Sequence, residues 1–260
     1  YSVMYNLIKF EFARKKMVFA VAAALTVIGQ IFVLFKFFQL DEVSRNAAGD
    51  EIFGLFLGVT MVGFGILYFI DIIFLFRNDL FKQEGYMLFM TPHNGYTILG
   101  SKLIFGLLEG LAIAIVYVGL LFLNLKVMLN VPIDFEMIGV NSTMIMTGIK
   151  GLILGIFMLI EFALTVYLSF ALFKSLFNNA RFKGLITFGI FIVINIVKSK
   201  FVEVVASVLG KDFSNVSIDS SDLMLETVNT AMNYGLVATI LSAVVLFIGT
   251  GYLLENRINL

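Results

Sequence analysis

Residues 52–76 read IFGLFLGVTMVGFGILYFIDIIFLF, 25 residues that carry a single charge, Asp71. As a helix rising 1.5 Å per residue this stretch reaches about 38 Å, more than the ~30 Å hydrocarbon core of a bilayer. A buried helix of a soluble protein has no need of such length without polar relief. Five further segments repeat the pattern, at residues 17–38, 103–129, 151–173, 184–209 and 234–254. Within the fifth, only residues 184–197 are purely apolar before Lys198 and Lys200 interrupt them. The first is too long, and lacks the small-residue cleavage site, to read as a cleaved signal peptide.

The composition agrees. Of 260 residues, 60% are hydrophobic and 14% charged, and the mean hydropathy is +1.00. Soluble domains carry about 25% charged residues, so a soluble fold of this size would lack polar side chains to cover its surface. The expected fold is therefore all-α: a polytopic membrane protein of six transmembrane helices, forming a single transmembrane domain over residues 1–260. No linker or internal repeat divides it.

The formal net charge of zero hides a separation. With both ends of the chain placed on one side, that side carries eleven basic and four acidic residues and the other five basic and eleven acidic. Lysine and arginine collect in cytoplasmic loops, so both termini are expected in the cytoplasm. Residues 1–16 place Val3, Leu7 and Phe10 at helical spacing beside Lys9, Lys15 and Lys16. That pattern fits an amphipathic helix lying in the inner interface; the plainer alternative is a basic tail that only sets topology. In the outer segment 198–233, Phe201, Val204, Val205, Val208 and Leu209 share one helical face. Asp219–Asp222 offers N-cap residues for a second helix over 223–232. Two short extracellular helices are expected between spans five and six.

Catalytic signatures are missing. There is no cysteine, and one histidine, His93, cannot build a zinc site. A phosphate-binding loop of the G-x-x-x-x-G-K-[ST] type is absent, since the one Gly-Lys pair, Gly210–Lys211, is followed by Asp212. No enzyme activity, resident cofactor or nucleic-acid partner is expected of this chain. What remains are charges inside the spans. Lys36 and Lys126 stand near span ends, where long side chains reach the interface. Asp71 and Glu109 lie closer to the cytoplasmic ends, with Arg77, Lys82 or Lys102 as the expected partners. Glu161 is near the middle of span four, where an ionised carboxylate costs at least ~2.5 kcal/mol. Its role is open between helix packing through a hydrogen bond and a substrate or gating contact.

The loop at residues 77–103 is the most informative stretch: RNDLFKQEGYMLFMTPHNGYTILGSKL. It is expected in the cytoplasm, yet it carries Tyr86, Met87, Leu88, Phe89 and Met90 in succession, the mark of an interaction surface. Thr91-Pro92 and Asn94-Gly95 then read as turns. Glu84, Gly85, Tyr86, Leu88, Thr91, Pro92, Leu99, Lys102 and Leu103 resemble the pattern E-x-G-Y-L-L-x-T-L-P…L-x-x-K-[LI] of membrane subunits of type-2 ABC exporters. His93-Asn94-Gly95 stands where that family often has Val-Ser-Arg, and Thr-Pro replaces Thr-Leu-Pro.

The resemblance implies a coupling helix in this loop that docks on a separate ATPase subunit, which binds ATP and Mg. Glu84 and Tyr86 then become docking contacts and Pro92 the bend. It also implies a second permease copy, identical or not, and residence in a bacterial plasma membrane. Nucleotide-driven closure of the ATPases would rock the helices between inward and outward states. Exporters of small amphipathic peptides, including phenol-soluble modulins, have similar permeases, and the abundant Phe and Met suit a hydrophobic or amphipathic cargo. The other class in view is a proton- or ion-coupled carrier using Asp71, Glu109 and Glu161 as relay carboxylates. A membrane scaffold that transports nothing is a third.

Overall fold

The computed structural model describes residues 2–40, 42–81, 94–128, 142–177, 182–208 and 221–256. All of the regular structure among them is helical: α1 (Ser2–Phe38), α2 (Glu42–Phe81), α3 (Gly95–Met128), α4 (Ser142–Leu176), α5 (Lys183–Val208) and α6 (Ser221–Asn256). Each contains a stretch long and apolar enough to cross a membrane, the organisation of a multi-pass membrane protein. In lipid no water is available to backbone N–H and C=O groups, so each span must satisfy them internally, as a helix does. Side-chain hydroxyls follow the same logic. Thr26, Thr60, Thr165, Ser169, Thr187 and Thr250 each donate to the carbonyl four residues earlier, at 2.7–2.8 Å. Their polarity is thereby absorbed within the helix that carries them.

Several helices run longer than their sequences foretell. Residues 1–16 do not form a helix of their own: α1 continues unbroken from Ser2 past Lys16 to Phe38. Nothing interrupts it, because the basic cluster contains neither proline nor glycine. The helix α5 likewise passes through Lys198 and Lys200 to Val208, and the helix expected over 223–232 is the first part of α6. Asn94-Gly95 is not a free turn but the start of α3. The Asn94 carbonyl accepts from the N–H groups of Thr97 (2.9 Å) and Ile98 (3.3 Å), which opens the helix eight residues before Leu103. Glu84, Gly85, Tyr86, Leu88, Thr91 and Pro92, expected to belong to a coupling helix, lie outside the described residues.

The chain groups into two compact units, Tyr1–Ile72 with Ile104–Gly139 and Ile73–Leu103 with Val140–Leu260. The divisions fall inside α2 and α3, each of which runs across its boundary without a break. In the second unit α4 packs on both α5 and α6. Its Leu164, Tyr167, Ala171 and Phe173 are fully buried, and Phe76 of α2 stacks on Tyr167 with centroids 4.2 Å apart. The start of α3 meets the end of α6 closely. A Cβ on Gly95 would stand 2.9 Å from the Leu254 Cβ, and one on Gly251 would overlap the Tyr96 ring. Tyr96 uses this approach to lie 5.9 Å from the Phe247 ring and to donate its hydroxyl to the Ile248 carbonyl at 3.5 Å.

Candidate functional site

In the first unit, α1, α2 and α3 bring three charged groups together. Lys15 pairs with Asp71 and, at 3.3 Å, with Glu109, while its ammonium sits 4.7 Å from the Phe105 ring centroid. Lys15 and Glu109 are both buried. A lone ionised side chain in the apolar part of a span is costly, and pairing offsets that cost. The cluster carries two carboxylates against one ammonium, so its formal charge is negative. Beside it, Tyr68 donates to the Gly106 carbonyl at 3.2 Å, and a Cβ on Gly110 would meet the Tyr68 hydroxyl at 3.1 Å. Glycine at 110 lets the ring lie against α3.

A second tie lies fifteen positions further along both helices. The side-chain amide of Gln30 donates to Asn124 at 2.8 Å, and that of Asn124 donates back at 3.1 Å. Asn124 is fully buried and also donates to the Leu120 carbonyl. Both ties set residue i of α1 against residue i+94 of α3, so the two helices run parallel in one register. The ties stand about 22 Å apart along the helix axes. Between them is a cleft of about 710 Å³, lined by Ala22, Ala23 and Thr26 of α1, Phe64 of α2, and Ala112 and Gly119 of α3. Glu109 closes one end and Gln30 the other. Small residues on the facing helices leave the space open; the polar pairs hold its walls at a fixed spacing.

In the second unit, Glu161 of α4 is buried and accepts a hydrogen bond from Ser242 of α6. Lys198 of α5 stands 3.7 Å from the same carboxylate oxygen, so one side chain ties three helices together. Lys102 pairs with Asp79, and both are nearly inaccessible. Lys150 donates to the Asn229 side chain at 2.6 Å.

Asp71 and Glu109 therefore share a cation, but it is none of the three the sequence suggests. Lys102 is engaged with Asp79 instead, the Arg77 guanidinium lies 5.5 Å from the Phe74 ring, and Lys82 is outside the described residues. Lys15, read in the sequence as a cation for lipid headgroups, supplies the charge. Glu161 belongs to the other unit, where Ser242 and Lys198 are its partners. Gln30, Asn124 and Ser242 escaped the sequence reading. For the two amides a signal existed: each is an isolated carboxamide in an apolar span, and such groups seek a partner across helices.

Among the described residues no group of three or more His, Cys, Asp or Glu side chains could hold a metal ion. No family model matches the chain, and no curated protein or solved structure matches it either.

Proposed function

We propose that the chain is the permease subunit of an ATP-driven exporter of hydrophobic or amphipathic cargo, with small peptides as the first candidates. A separate ATPase subunit would supply the energy by docking on the loop that contains Glu84, Tyr86 and Pro92. A second permease copy would complete the pathway. The observation that carries the transport reading is the cleft along α1 and α3. It is apolar over most of its length, polar at both ends, and large enough for an elongated molecule, since ligand sites commonly enclose 300–1,000 Å³. The ATP-driven part rests on the resemblance of residues 77–103 to the coupling loops of type-2 ABC exporters.

Filling the cleft tests this. Ala112 is exposed on its wall, so Ala112→Phe adds bulk without displacing a packed neighbour. In vesicles holding the assembled transporter, the variant is expected to cut peptide export by about tenfold, the effect of roughly 1.4 kcal/mol, with expression and assembly unchanged. Unaltered export would remove the cleft from the pathway.

One observation favours a second reading, an ion-coupled carrier. Lys15 and Glu109, both buried, and the half-buried Asp71 form a cluster with one carboxylate in excess, an arrangement able to take up a proton. Purified chain that moves cargo on a proton gradient, without any ATPase, would select the carrier.

A further inference from the structure

Three cations of the second unit, the half-buried Lys174 and the exposed Arg77 and Lys183, contrast with the lysines that have found a carboxylate. Lys15, Lys102 and Lys198 each face a carboxylate. Arg77, Lys174 and Lys183, among the described residues, face none. All three sit where membrane-spanning stretches end: Arg77 one turn before the end of α2, Lys174 in the last turn of α4, and Lys183 at the first residue of α5. Two of them share one side chain, while the Arg77 guanidinium lies over the Phe74 ring. The Lys174 and Lys183 ammonium groups lie 5.9 and 5.7 Å from the Phe81 ring centroid, and Arg77 is one helical turn before Phe81.

The same place offers an apolar receptacle. Phe81 packs edge-on against Phe170 at 6.1 Å. Phe170 in turn lines a cavity of about 410 Å³ together with Arg77, Phe162, Phe188 and Gly184. A Cβ on Gly184 would meet nothing within 4 Å, so the space beside it is open. An aromatic-walled cavity at the end of three spans, lined by Arg77 and neighboured by Lys183, next to Gly184, and by Lys174, on Phe81, fits a ligand with an anionic head and an apolar chain. Basic pockets between membrane helices bind acidic lipid headgroups in this way. A free phosphate would satisfy the cations and leave the cavity unfilled.

We infer that this pocket binds an anionic phospholipid, its phosphate among Arg77, Lys174 and Lys183 and one acyl chain in the cavity beside Gly184. The site depends on the spans lying in a bilayer and not on how transport is driven.

Native mass spectrometry of the full-length protein in neutral detergent tests it, with phosphatidylglycerol and phosphatidylcholine titrated separately. Phosphatidylglycerol is expected to bind up to about a hundredfold more tightly, given that each of the three basic residues near an acidic membrane surface contributes roughly a fivefold preference. The triple variant R77Q/K174Q/K183Q should remove that preference. Gly184→Leu keeps every charge and fills the cavity, so it should weaken phosphatidylglycerol binding as well; it decides the matter if the triple variant does not fold. Equal affinity for the two lipids would overturn the assignment. So would phosphatidylglycerol binding that survives Gly184→Leu, or that millimolar inorganic phosphate displaces completely, since either would mean a site for a bare anion.

Discussion

Lys15 is held by two carboxylates, and removing it would leave Asp71 and Glu109 facing each other in the apolar part of the molecule. Breaking a buried ion pair from one side typically costs about 3–5 kcal/mol. Lys15→Met should therefore lower the thermal midpoint in detergent clearly. Adding Glu109→Gln to it should restore most of the loss, because one of the two repelling charges is gone. A double variant no more stable than the single one would mean that the cluster is not coupled. Glu161 calls for a different substitution. Glu161→Gln keeps an oxygen to accept from Ser242 but strands Lys198. Loss of a hydrogen-bonded charge costs about 1.5–3 kcal/mol, so a modest fall in melting temperature is expected, with transport falling further than assembly. If the proposed transport complex dissociates while transport per complex is unchanged, Glu161 serves packing only. The carboxylates themselves were legible in the sequence, because each is conspicuous against an apolar background. Their partners were not. Which helix faces which is decided by packing between distant segments, and Lys15 sits 56 residues from Asp71 and 94 from Glu109.

Among the elements, the number and type of helices follow from apolar length alone, and six spans were legible for that reason. Their ends were harder to read. Lys198 looks like a boundary when water is the assumed neighbour, yet α5 carries it onward because Glu161 of α4 receives it. Asn94-Gly95 has the chemistry of a turn, and it starts a helix because the Asn94 carbonyl accepts the first helical hydrogen bonds. Gly251 shows the same limit. In the sequence it is one glycine among 22, while in the fold its missing side chain admits the Tyr96 ring. Gly251→Ala forces that ring aside, and overpacking of this kind costs typically 1–3 kcal/mol. The melting temperature should fall, and Tyr96→Ala in the same chain should relieve the strain, leaving a smaller loss than the sum of the two single changes. Strictly additive losses would contradict the close approach.

For the molecule as a whole, the zero net charge is divided between sides, and part of each side's share is consumed within the protein. Lys15 and Lys102 belong to the basic group that the sequence leads one to expect on the cytoplasmic side, but both are buried against carboxylates. The cations left for external contacts include Arg77, which lines the lipid pocket proposed above, and Lys174 and Lys183, which flank the Phe81 ring. The cleft between α1 and α3 was not legible, since it arises from two polar ties sharing one register, each made of residues far apart in the chain. The proposed link to an ATPase rests on the loop around Tyr86, and co-purification tests it most directly. The full-length chain is isolated from its native membrane with and without the paired change Glu84→Ala/Tyr86→Ala, and the bound ATPase is quantified. The exporter reading predicts a stoichiometric ATPase subunit with the unmodified chain and its loss from the variant, at equal recovery of folded permease. An ATPase retained by the variant would contradict the docking assignment; a chain that binds none, and moves peptide on a proton gradient alone, would contradict the exporter.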